Sequence, residues 1–168
     1  MRRRTLAIAL PLSLLARLAP AQAPLATPAG PVLLTVTGRI QRRNGADRAQ
    51  FDAAMLDALP QHTITTRTPW YAEARAFTGA RLRDVLDATG AEGRMLRAVA
   101  LNDYRVDIPM DDARQHDVIV ARLLDGKPMA VREKGPLFVM YPFDTQPALR
   151  TAVYFSRCIW QLQMLEVL

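Results

Sequence analysis

Apolar and polar positions alternate in short blocks along most of the chain, and such blocks predict strands more often than helices. Val32 to Ile40 is dense in β-branched residues and predicts an opening strand. After a turn at Arg42 to Gly45, Asp47 is placed to cap a helix with Phe51, Met55, Leu56 and Leu59 on its apolar face, ended by Pro60. His62 to Thr66 predicts a second strand, and Arg67 to Thr78 an irregular stretch holding Pro69, Trp70 and Tyr71. Gly79 then precedes a short helix with Leu82, Val85 and Leu86 inward, closed by Gly90.

The second half is richer in strand signals. Leu96 to Leu101 and Tyr104 to Ile108 flank the turn-prone pair Asn102-Asp103 and predict a hairpin. Pro109 to Gln115 reads as a helical turn and Val118 to Leu124 as a strand. Asp125-Gly126 is a strong turn signal, with Met129 to Val131 as the expected returning strand. Leu137 to Tyr141 is a dense apolar strand, Phe143 to Val153 a loop or short helix, and Trp160 to Val167 a closing strand. Many short strands with two or three short helices predict a mixed α+β domain.

The N-terminus departs from this pattern. Arg2, Arg3 and Arg4 precede an apolar run from Leu6 to Leu15, and Ala21-Gln22-Ala23 supplies the small residues of a cleavage site. That order predicts an export signal over residues 1–23, and hence a periplasmic or otherwise secreted protein. The apolar run is too short to span a bilayer, so the mature chain is expected not to span the membrane. Residues 24–31 hold three prolines and a glycine and read as a flexible lead-in, leaving 32–168 as one domain. Four of the 22 basic residues (Arg2, Arg3, Arg4 and Arg17) lie in the signal, which leaves 18 against 16 acidic ones. The near-balance gives no reason to expect a nucleic-acid partner. Cys158 is the only cysteine, so no intramolecular disulfide can form, and burial as a slow-reacting thiol is the expectation.

Nucleophile elbows, phosphate loops, dinucleotide fingerprints and His-rich metal motifs are absent, and the two histidines, His62 and His116, lie far apart. Three stretches carry candidate chemistry, each with a plain structural alternative. Thr65-Thr66-Arg67-Thr68-Pro69-Trp70-Tyr71 places hydroxyls, a cation and aromatics at a strand end, facing a ligand or covering the core. Asn102-Asp103-Tyr104 reads as a polar loop in a pocket or as a hairpin turn. Arg132-Glu133-Lys134-Gly135-Pro136 reads as an anion-holding turn or as a solvated one.

Taken in order, these stretches resemble the sulfite-oxidase-type molybdopterin-binding domain, in particular its small exported bacterial members. The resemblance runs from about Leu33 to Val167. It rests on Val36-Thr37-Gly38, Thr68-Pro69-Trp70, Phe77 to Leu86, Ala100-Leu101-Asn102-Asp103-Tyr104, Ile108-Pro109, Asp125 to Met129 and Lys134 to Val139. It implies a strand-rich α+β fold with a few short helices and a molybdenum–pterin cofactor. It further implies a cofactor pocket lined by Thr66, Arg67, Trp70, Asn102, Tyr104, Arg132 and Lys134, with Arg132 and Lys134 on the anionic tail and Trp70 as a wall. In the family a cysteine thiolate from the loop after an early strand binds the metal; here that loop falls at about Thr65 to Trp70 and has no cysteine. Two functions follow. One is an exported, oxidoreductase-like domain without its usual metal anchor. The other is a non-catalytic, sensor-type module on the same fold that holds a small anionic ligand or an envelope protein.

Overall fold

A computed structural model describes residues 24–168; the signal reading of residues 1–23 lies outside the described residues. The alternating blocks become ten strands: β1 (Leu34–Gly38), β2 (Ala49–Phe51), β3 (Gln61–Thr68), β4 (Tyr71–Arg81), β5 (Met95–Ala100), β6 (Arg105–Pro109), β7 (Ile119–Leu124), β8 (Lys127–Pro128), β9 (Phe138–Met140) and β10 (Leu162–Val167). Four short helices interrupt them: α1 (Ala53–Asp57), α2 (Leu82–Thr89), α3 (Met110–Gln115) and α4 (Ala152–Arg157). The expected mixed α+β, strand-rich architecture is the one observed.

One sheet runs β2-β1-β10-β5-β6, with β1 and β10 parallel and the other pairs antiparallel. The other runs β3-β4-β7-β8, with β9 also paired to β7. A bridge between Phe138 and Trp160 joins the two sheets. Leu34, Val36, Leu96 and Leu165 from the first sheet share one buried cluster with Phe77, Ile119, Phe138 and Val139 from the second. α2 presents Leu82, Val85 and Leu86 to that core. It stops at Gly90, whose φ of 61° is the left-handed conformation that glycine adopts without a steric penalty.

Three elements differ from the sequence reading. Asp47 caps no helix: Ala49 to Phe51 pair with β1, burying Phe51, and the helix begins after Asp52. The Asp52 carboxylate accepts from Met55 N at 2.9 Å and from Ala29 N and Gly30 N at 2.8 Å. These N–H bonds, that of Met55 foremost, hold its carboxyl below the usual range. The same bonds, with Asn44 Nδ2 donating to Ala26 O, fasten the 24–31 segment, which forms no strand or helix. Most of the stretch read as irregular, Arg67 to Thr78, belongs to β3 and the eleven-residue β4, because pairing with β3 on one side and β7 on the other overrides a weak local signal. The strand returning from Asp125-Gly126 is only Lys127–Pro128; Pro128 has no amide to extend the ladder, and the chain enters a 3-10 turn at Val131–Glu133.

Candidate functional site

The β3–β4 turn consists of Pro69 and Trp70, and it faces the end of the β5–β6 hairpin and the segment joining α4 to β10. Between them lies a cavity of about 480 Å3 lined by Pro69, Trp70, Ala100, Asn102, Tyr104, Phe155, Ser156, Cys158, Ile159 and Trp160. Its wall is an aromatic cluster. Trp70 lies 5.8 Å from Trp160, 5.6 Å from Phe138 and 6.2 Å from Phe155, centroid to centroid and in tilted or edge-on geometry. Such arrangements favour the ring quadrupoles.

α4 is held in place from behind. Buried Asp112 of α3 accepts from Tyr141 Oη at 2.6 Å and from Arg157 at 2.8 Å. Burial, and then the bond to Asp112, raise the Tyr141 phenol above its ordinary range, so it remains a donor. Through Arg157, this network fixes the end of α4 that brings Phe155, Ser156 and Cys158 to the cavity. Burial also pushes the Cys158 thiol up to about 12, so it stays protonated at neutral pH. The expectation of a buried thiol holds; its place on a cavity wall was not foreseen.

A second hollow, about 420 Å3, adjoins this wall. Tyr71, Arg75, Leu124, Lys127, Pro128, Met129, Arg132, Glu133 and Lys134 line it. Lys134 Nζ stands 5.3 Å from the Tyr71 ring centroid and 5.8 Å from that of Trp160, so one ammonium borders both hollows. Arg75 pairs with Asp125, whose carboxyl is held low by the Ala76 N–H and then by Arg75.

Backbone strain gathers at the same place. Among the described residues, four other than glycine have positive φ: Asp103 (64°), Asp125 (48°), Lys134 (72°) and Gln161 (53°). Asp103 and Asp125 sit in hairpin turns, the first beside Asn102 of the cavity; Lys134 lines the basic hollow and Gln161 follows Trp160 of the cavity wall. Such conformations persist only where surrounding contacts over-determine them, and they concentrate at functional sites.

The candidate residues from the sequence therefore divide. Trp70, Asn102 and Tyr104 line the aromatic cavity, and Arg132 and Lys134 line the basic hollow. Thr66 and Arg67 line neither. Thr66 Oγ1 accepts from Asp144 N at 3.1 Å and donates to Asp144 Oδ1 at 3.3 Å, and Arg67 N meets the same carboxylate, which Arg150 also pairs. Thr68, one residue before the cavity, keeps a buried hydroxyl without a partner among the described residues. The sequence reading missed Phe155, Ser156, Ile159 and Trp160 on one wall and Arg75 and Lys127 in the hollow, where Tyr71 of the first candidate stretch also lies. The one usable signal was tryptophan itself: the chain has two, and both wall the cavity.

A two-sheet α+β fold with an aromatic cavity beside a basic turn defines a cofactor- or ligand-binding domain. Residues 34–144, well over half the chain, match the family described as oxidoreductase molybdopterin binding domain, and the chain belongs to it. Among solved structures it is similar to the sulfane dehydrogenase SoxCD of Paracoccus pantotrophus, with a TM-score of 0.60 and 16% identity over 80% of this chain. The chain spans 37% of the length of that one, and at this identity the likeness shows the fold. No curated protein matches the chain.

Proposed function

We propose that this domain works after export as a binder of a planar, anionic pterin of the molybdopterin class, and that it does so without a protein thiolate on the metal. The observation that carries the reading is the aromatic cavity sharing Trp160 with Lys134 of the basic hollow. A flat heterocycle matches the ring faces of Trp70 and Trp160, and its phosphate matches Lys134 and Arg132, with Lys127 beside them. When bound, the cofactor's metal would supply redox chemistry; the chain's own residues bind and orient the pterin and keep water from its faces.

The donor set fits the pterin better than it fits the metal. The Thr65–Trp70 segment has no sulfur, and Thr66 is turned onto Asp144. Cys158 is a buried, protonated thiol. Among the described residues no three His, Cys, Asp or Glu side chains cluster as metal ligands. A neutral hydroxyl is a poor replacement for the soft thiolate that molybdenum favours.

The sensor-type alternative draws support from the rim. Leu101 (45% exposed), Tyr104 (52%) and Val153 (55%) lie next to or among lining residues and leave an apolar border for a partner protein of the envelope. The export reading rests on the order of charge, apolar run and cleavage site in residues 1–23. Among the described residues no helix is long and apolar enough to cross a membrane.

The test uses protein purified from the envelope fraction of a host that makes the cofactor. N-terminal sequencing should begin at Pro24; an intact Met1 would defeat the export reading. Acid release should yield a fluorescent pterin oxidation product with molybdenum well below one per chain. One molybdenum per chain would overturn the claim about the thiolate. Neither pterin nor molybdenum would hand the site to the sensor-type reading.

A further inference from the structure

The geometry points to Gln161 as a positioning residue that sets the Lys134 ammonium at the mouth of the aromatic cavity and thereby selects ligands with an anionic tail. This rests on the reading of the cavity proposed above and names the residue that gives the site its preference.

The backbone N–H of Gln161 donates to Lys134 O at 3.0 Å, and its side-chain Nε2 donates to Val131 O at 2.8 Å. On the other side, Leu101 N donates to Gln161 O at 2.9 Å. One residue thus ties the basic turn to the β5–β6 hairpin that carries Asn102 and Tyr104. Gln161 and Lys134 both hold left-handed backbone, at φ 53° and 72°, and the hydrogen bond between them joins the two strained residues directly. Strain of this kind is unfavourable and needs partners that fix it.

The turn has a rigid interior. Glu133 N and Gly135 N both donate to Ala130 O, and a Cβ at Gly135 would lie 2.0 Å from Met129 O. Such a turn moves as a unit, and Gln161 fastens it at two carbonyls, Val131 O and Lys134 O. With φ and the carbonyl of Lys134 fixed, the Cα–Cβ bond is aimed toward the aromatic wall, and contacts with the Tyr71 and Trp160 rings then place Nζ 5.3 and 5.8 Å from their centroids. A pre-placed cation loses less freedom when an anion arrives, so it discriminates more strongly. Residues 158–161 lie beyond the segment that matches the family, so this fastening belongs to the closing part of this chain.

The experiment compares two probes, unsubstituted pterin and pterin-6-carboxylate, by quenching of tryptophan emission. Both tryptophans wall the cavity, so the signal reports on that site. The wild-type chain should prefer the carboxylate-bearing probe by about tenfold, the lower end of a charge-assisted hydrogen bond. Gln161→Gly keeps the left-handed backbone and its N–H bond to Lys134 O, and deletes the side chain that holds Val131 O. It should weaken the preference to about threefold or less, leave pterin affinity within about twofold and leave the melting temperature nearly unchanged. Combined with Lys134→Ala it should add nothing further, because both changes remove the same interaction. If Gln161→Gly lowers the melting temperature, Gln161→Asn, which tolerates the same backbone but has a shorter reach, replaces it with the same expectation. An undiminished preference in the folded variant, or full additivity with Lys134→Ala, would overturn the inference while leaving the cavity reading intact. A wild-type chain that binds neither probe would remove the cavity reading and this inference with it.

Discussion

The aromatic cavity and the basic hollow share a border at Trp160 and Lys134 but are made of opposite materials. The cavity wall is backed by the core: Phe138, wholly buried, touches Trp70, Trp160 and Phe77, and Cys158 is 2% exposed. The hollow is lined partly by half-buried Tyr71, Arg75 and Leu124 of the neighbouring strands and partly by polar side chains at the domain surface, with Lys127, Arg132 and Glu133 in solvent. Damage to the first should therefore appear as lost stability, and damage to the second as lost, salt-sensitive binding at nearly unchanged stability. Under the proposed function, the shape of a guest is read by the same packing that keeps the domain folded, and its charge by residues that folding can spare.

The strongest way to test that contrast is Phe138→Ala. Removing a fully buried ring from the cluster should cost about 3–5 kcal/mol, read by chemical denaturation, and should abolish quenching by both pterin probes. A stable variant that still binds would show that the cavity is not seated on the core. Next comes Asp112→Ala, which leaves Tyr141 Oη and Arg157 without their shared acceptor. About 2–5 kcal/mol should be lost, together with the fixed position of α4. Faster labelling of Cys158 in the folded variant is the local readout.

Cys158 supplies a pH test of the buried side. The folded thiol ionises only near 12, whereas a free cysteine ionises near 9.0, because burial disfavours the thiolate. Its contribution to stability is complete below pH 9 and is lost as pH climbs from there toward 12. Cys158→Ala should flatten stability across that window, and alkylation of the native chain at pH 8 should be slow. Rapid alkylation at that pH would contradict the buried wall. The smallest effect on folding belongs to the hollow. Lys134→Ala removes cation–π contacts of about 0.5–1 kcal/mol, so melting should barely move while the salt-sensitive preference for the anionic probe disappears.

Local signals made much of the fold legible. Asn102-Asp103 and Asp125-Gly126 turn where their chemistry demands, Gly90 ends α2, and the apolar runs at Leu137 to Tyr141 and Trp160 to Val167 contain β9 and β10. Where pairing partners decide, the reading slipped: Ala49 to Phe51 joined β1 rather than a helix, and β4 formed between two neighbours despite a weak pattern. The candidate site divided along the same line. Trp70, Asn102 and Tyr104 meet because two adjacent turns face one cavity, and Arg132 and Lys134 meet because one tight turn presents both.

Residue chemistry by itself determined the elements that need no particular pairing partner, the single thiol, the basic turn and the resemblance to a pterin-binding family, since each is written in neighbouring residues. Only the tertiary structure decided that Thr66 turns onto Asp144, that Cys158 and Trp160 close a cavity opened by Pro69 and Trp70, and that Gln161 clasps the Lys134 turn. Those contacts join residues far apart in the chain. They arise when two sheets bury a common core, and no periodicity along one strand records which loop ends that burial brings together.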